Sequence, residues 1–250
     1  MICKIRMAAA AVIGRSHEVV GGACQDRAEF SRGRTVAVIA LGDGAGSATH
    51  SELGAQTVVS TTTKLLRANF HELCQQDSRY ISDFIVKRIH KSLKRHVTDA
   101  SIELGDLAAT LLFVATDGKN YLCGQIGDGR IARFSNNINE SSLVFHPHKG
   151  EFINETIFVT HPNAAHHMKI EMGSISEIGG FALMSDGAEE SLFNRAENKF
   201  ATGLAKMMSW FDSNSERMVQ KALNENLYVV MRNKTMDDLS LAMMRVHAST

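Results

Sequence analysis

Three apolar runs in this chain stop on an aspartate. "VIALGDGAG" ends at Asp43-Gly44, "GQIGDGR" at Asp128-Gly129 and "FALMSDGAEE" at Asp186-Gly187. A fourth site, Asp237-Asp238 in "TMDDLSLAMM", stands at the entrance to an apolar run, and Asp26 closes the loop "GGACQD". A single Asp-Gly is an ordinary turn. Asp43 and Asp186, however, follow core-like runs and precede helix-like patterns, where a plain turn needs no acid. A fold that gathers these strand mouths must tolerate carboxylates side by side. Two unit charges about 4 Å apart repel by roughly 4 kcal/mol at an effective dielectric near 20. A domain's net stability is only about 5–15 kcal/mol. Protons or cations must therefore neutralise such a cluster. Oxygen donors without thiolates favour Mg²⁺ or Mn²⁺, and a pair of such ions suits hydrolysis at phosphorus.

The rest of the pattern predicts an α+β fold. Runs rich in β-branched and apolar residues give strands at Ala8–Ile13, Thr35–Leu41, Ala109–Thr116, Asn120–Ile126, Arg130–Phe134, Thr156–Thr160, Phe181–Ser185 and Leu239–Val246. Asp117-Gly118 reads as a hairpin turn, and Gly127–Arg130 as a second, which together predict a meander of three adjacent antiparallel strands. Helical periodicity covers Glu52–Phe70, Ser82–Val97, Ala188–Phe193, Lys199–Trp210 and Ser215–Met231. The 250 residues contain two prolines and no linker-like stretch, so one domain spanning 1–250 is expected. Lysine plus arginine equals aspartate plus glutamate at 27 each, which gives no pull toward nucleic acid or an anionic membrane. No apolar stretch reaches the roughly 18 residues of a membrane span. "MAAAAVIG" reads as a first strand rather than a secretion signal. Cysteines 3, 24, 74 and 123 form no CxxC pair, which suits reduced thiols and a cytoplasmic setting. "HPNAAHH", with His161, His166 and His167, matches no metal template and reads as a polar loop.

In order, "GRSHEVVGGACQD", "IALGDGAGSATHSELGA", "AATLLFVAT", "GQIGDGRI", "ALMSDGAEES" and "DDLSL" resemble the metal-dependent protein phosphatase family, also called protein phosphatase type 2C. "KGEFINETIF" is similar to its bacterial branch. The resemblance implies a four-layer α-β-β-α sandwich of two antiparallel sheets flanked by helices, with a flap around 135–180. It implies two Mn²⁺ or Mg²⁺ ions, with a third as an option, and hydrolysis of phosphoserine and phosphothreonine by a metal-activated bridging water. By position, Asp43 matches the bridging ligand, Gly44 the carbonyl ligand, and Asp186 and Asp237 further ligands. Asp26 matches an acid of the early pair, and Asp128 a holder of the third ion. Asp43, Asp26 and Asp237 are thereby the expected catalytic residues. The implied partner is a phosphorylated protein, with a cognate kinase. Departures stand beside these matches: Gln25 replaces a glutamate, Ala45 a histidine and Gly21 a phosphate-gripping arginine, leaving Arg15 and His17 as the nearest cations. They define the alternative reading, a phosphatase-like binding or regulatory module with little catalysis.

Overall fold

The computed structural model describes residues 4–97, 102–146 and 156–247. Strands and helices follow in the order β1 (Lys4–Val12), α1 (Arg15–Val19), β2 (Arg27–Arg32), β3 (Ala37–Gly42), α2 (Ser51–Leu73), α3 (Ser78–Leu93), β4 (Leu111–Thr116), β5 (Asn120–Ile126), β6 (Arg130–Ser135) and β7 (Ser141–Leu143). After these come α4 (Ala164–His167), β8 (Lys169–Ser174), β9 (Ile178–Met184), α5 (Asp186–Leu192), β10 (Phe193–Asn194), β11 (Lys199–Phe200), α6 (Thr202–Ser213), α7 (Glu216–Asn226) and β12 (Leu239–His247). Two antiparallel sheets result, in strand order β1-β12-β9-β6-β7 and β2-β3-β4-β5-β8, beside a small β10-β11 hairpin.

The period of two along each strand builds the layers. In β3, Ile39 and Leu41 point between the sheets, toward Phe181 and Leu183 of β9 and Met244 of β12. Val38 and Ala40 point the other way, onto α2 and α3. On the opposite flank Ala182 and Met184 of β9 face Leu204, Met208 and Phe211 of α6 and Leu223 of α7. Both faces of the central strands are thus covered, which is why they read as continuous apolar runs. Helix α3 buries Ile81, Ile85, Ile89 and Leu93 at intervals of one turn. Each such side chain gives about 1.5–3 kcal/mol. The architecture is the expected α-β-β-α sandwich.

Several sequence expectations change. The three-strand meander is not formed: β4 and β5 pair, but β6 joins the other sheet, against β9 and β7. The physical reason lies in the turn. Gln125 Nε2 donates to the carbonyls of Gly127 (2.9 Å) and Gly129 (3.0 Å). Gly127 adopts φ +103°, a backbone that side chains disfavour. The chain therefore leaves one sheet at Ile126 and enters the other at Arg130. Thr156–Thr160 is not a strand. Its Val159 N–H bonds to the Ala109 carbonyl (2.8 Å), and the Val159 carbonyl meets His90 Nε2 (2.6 Å). Helix α3 begins four residues before the expected Ser82, because Asp77 accepts from the Tyr80 amide (2.8 Å) and caps it. The last predicted helix ends early: α7 stops at Asn226 and a wider π-type turn carries Leu227–Met231. Within the expected flap, residues 147–155 fall outside the described residues; β8 forms the edge of a sheet, and "HPNAAHH" holds the short α4, with Ala164 buried.

Candidate active site

Strand direction decides where the acids go. β3, β5 and β9 finish at one end of the sandwich, where β2, β4, β6 and β12 begin. β2 pairs with β3 so that Arg27 faces Gly42, which sets Asp26 beside Asp43. Likewise Leu241 of β12 faces Met184 of β9, which sets Asp237 and Asp238 beside the Ser185–Gly187 turn. The switch turn adds Asp128. Asp43, Asp128, Asp186 and Asp237 line one cavity of about 170 Å³, together with His17 and Gln25. Asp26 lies outside that wall, only 4% exposed, with its carboxyl against that of Asp43. Every acid singled out in the sequence is therefore at this end of the fold.

The backbone around Asp43 is pinned from both sides. Its amide donates to Thr110 Oγ1 (2.9 Å), and its carbonyl accepts from the Thr110 amide (2.8 Å). The Gly44 amide reaches the Gln25 carbonyl (3.2 Å). A Cβ at Gly44 would sit 2.8 Å from Ser51 Cβ and 2.9 Å from the Gln25 carbonyl oxygen, so a side chain would force these loops apart. Thr110 was not anticipated, and nothing in an apolar strand entrance would have signalled it.

Charge in the cluster is uncompensated. Among the described residues no lysine or arginine forms an ion pair with Asp26, Asp43, Asp128, Asp186 or Asp237. Nearby Arg130 and Arg195 are spent on buried Glu189, at 3.2 and 2.8 Å. Burial pushes the Asp26 carboxyl up to about 7, against a lowering influence from neighbouring Asp43, Ser240 and Ser185. Asp43 is raised well above the usual carboxylate range, first by burial and then by the charges of Asp26 and Asp186. Asp186 is raised by burial, then by Asp237 and Asp128. Both Asp26 carboxyl oxygens are buried without a donor, a state that ordinarily costs about 1–3 kcal/mol.

This donor set fits divalent cations: hard oxygens, excess negative charge and orphaned buried acceptors. Among the described residues, however, no three acidic, histidine or cysteine side chains converge as a finished ion cage. The carboxylates share a cavity rather than one centre. Asp128 Oδ2 accepts from Thr156 Oγ1 (2.6 Å), and Asp186 Oδ1 from the Gly187 amide (2.7 Å).

Asp238 has a different task from Asp237. It is 3% exposed, and its oxygens accept from the Gly14 and Gln25 amides, both at 2.6 Å. His17 Nδ1 stands 3.0 Å from Asp238 Oδ2, a close contact that falls short of an aligned hydrogen bond. Arg15 lies in a neighbouring depression that also touches Asp237, and its Nε donates to the Thr235 carbonyl (3.1 Å).

The sequence pattern of Protein phosphatase 2C matches residues 13–228. The chain belongs to the protein phosphatase 2C family. No curated protein matches this phosphatase by sequence. Among solved structures, a bacterial serine phosphatase superposes with a TM-score of 0.70 at 11% identity, covering 99% of this chain and 100% of that one. The serine/threonine phosphatase Stp1 from Staphylococcus aureus gives 0.67 at 12% identity, over 98% of this chain and 96% of that one. RsbX in complex with magnesium gives 0.57 at 14% identity, over 97% and 96%. At these identities the likeness establishes the shared fold. Family membership makes this phosphatase a metal-dependent phosphoprotein hydrolase.

Proposed function

We propose that Asp43, Asp186 and Asp237, with the Gly44 carbonyl, hold Mn²⁺ or Mg²⁺ in the cavity, two ions with Asp128 serving a third. Asp26 supports Asp43 from beneath. The observation that carries this reading is the group of acids, drawn from both sheets, that forms no ion pair with a lysine or arginine among the described residues. Bound there, such ions supply Lewis acidity that favours hydroxide over water and offsets phosphoryl charge. The chain's own contribution is to fix the donors. Thr110 holds Asp43, the β9–β12 pairing places Asp186 and Asp237, and the switch turn presents Asp128. Gln25 offers a neutral oxygen where the family carries a charge, which lowers the negative charge facing one ion. The substrate is a phosphoserine or phosphothreonine protein, made by a cognate kinase in the cytoplasm. Among the described residues no helix is long and apolar enough to cross a membrane.

Manganese-stimulated release of phosphate from a phosphoserine peptide, and of p-nitrophenol from its phosphate ester, is the expected result, with EDTA abolishing both. Full turnover in EDTA would remove the metal from the account. Tight binding of the phosphopeptide without turnover would favour the regulatory-module reading that Gln25, Ala45 and Gly21 motivate.

A further inference from the structure

Serine is a poor leaving group. When its phosphate ester is hydrolysed, a P–O bond forms to the water oxygen and the P–Oγ bond breaks. The bonding pair leaves on Oγ, which must take a proton at or near the transition state. The cavity offers few donors. Its acids are the carboxylates that the proposed ions would hold ionised, and Gln25, Thr110 and Thr156 keep their protons at any working pH. Among the described lining residues, His17 alone carries a titratable group that is not a carboxylate. Ala45, on the same wall, supplies none.

His17 is also held in a particular way. Its Nδ1 is buried without an aligned hydrogen bond, and the nearest acceptor is the carboxylate of Asp238, 3.0 Å away. A carboxylate facing a ring nitrogen this closely, with its oxygens already accepting from two amides, favours the ring tautomer that carries its proton on Nδ1. That leaves the Nε2 edge for the cavity. Asp238 is itself immobilised by the Gly14 and Gln25 amides, at 2.6 Å each. A buried carboxylate that sets an imidazole's tautomer and orientation is a familiar device of proton-transfer sites. It also gives the second acid of "DDLSL" a purpose that differs from ion binding.

We infer that His17 is the general acid of this phosphatase and that Asp238 is its positioning residue. This inference rests on the phosphatase reading above. The ring acts in its doubly protonated form: it gives the Nε2 proton to the departing serine Oγ and is left neutral, with its remaining proton on Nδ1 facing Asp238. The ring regains one from solvent, and the proton shed by the attacking water returns to solvent, so the cycle balances.

The test compares substrates that differ in leaving group. A p-nitrophenolate departs without help, whereas a serine alkoxide does not. Wild type and His17→Gln are assayed with manganese on a phosphoserine peptide and on p-nitrophenyl phosphate. The peptide reaction is expected to lose about 10²-fold more than the aryl ester reaction, the scale of general acid catalysis. Because the two losses are compared, any damage to the shared cavity cancels. Equal losses would overturn the acid role while leaving the phosphatase reading intact. Failure of wild type to hydrolyse either compound would overturn both. Asp238→Asn should show a smaller bias of the same sign. Nitrogen-15 spectra of the metal-free wild type should report a protonated Nδ1 on His17, and a ring with its proton on Nε2 alone would contradict the pairing.

Discussion

The sheet that holds β2, β3, β4 and β5 has aspartates at both of its ends, and the two ends use them differently. At the β4–β5 hairpin, Asp117 Oδ1 accepts from the Lys119 amide (2.9 Å) and the Asn120 amide (2.8 Å). That carboxylate is spent on the turn it makes. At the other end Asp26 has two buried oxygens with no donor, and Asp43 presses against Asp26 and Asp186. The same Asp-Gly dipeptide, at 117–118 and at 43–44, is a structural device in one place and an ion-binding proposal in the other. The dipeptide carries no functional information by itself. What separates the two is whether backbone amides have already claimed the carboxylate.

The comparison can be broken most directly by removing one acid from each end. Asp43→Ala is expected to lower manganese-dependent hydrolysis of p-nitrophenyl phosphate by roughly 10³-fold or more, the several kcal/mol that metal-assisted chemistry supplies. Retention of a tenth of the rate would contradict the assignment. A thermal melt sharpens the contrast. Asp26, Asp43 and Asp186 hold their protons to higher pH in the folded chain than in the unfolded one. Their contribution is therefore complete below the usual carboxylate pKa of about 4 and fades as pH climbs toward about 7. In EDTA the melting temperature should fall across that window, and manganese should raise it more at about pH 8 than at about pH 5. Equal gains at both pH values would mean that the ions do not relieve this repulsion. The smallest effect belongs to Asp117→Ala, which should cost about 1 kcal/mol in urea unfolding and leave turnover within about twofold.

Much of this was legible in the sequence because the decisive acids close apolar runs. Asn120–Ile126 coincides with β5, and Asp43 and Asp186 stand where their runs stop. The strand that delivers Asp26 was not legible. β2, "RAEFSR", is an edge strand with only Ala28 and Phe30 apolar, so its pairing with β3 leaves little mark on composition. β8 hid for the same reason at the opposite edge. The crossing between sheets at Gly127–Gly129 depends on the Gln125 side chain reaching two carbonyls, a contact that no periodicity announces. Asp238 could be placed by resemblance, yet its hold on Gly14, Gln25 and His17 joins residues more than two hundred positions apart.

Asp26 and Asp43 belong to one sheet, Asp186 and Asp237 to the other, and Asp128 rides on the strap that ties the pair. Occupancy of the cavity would thus act as a rivet through two plates. The thickness of the filling between those plates, set by Ile39, Leu112, Phe181 and their neighbours, becomes the gauge of the rivet hole.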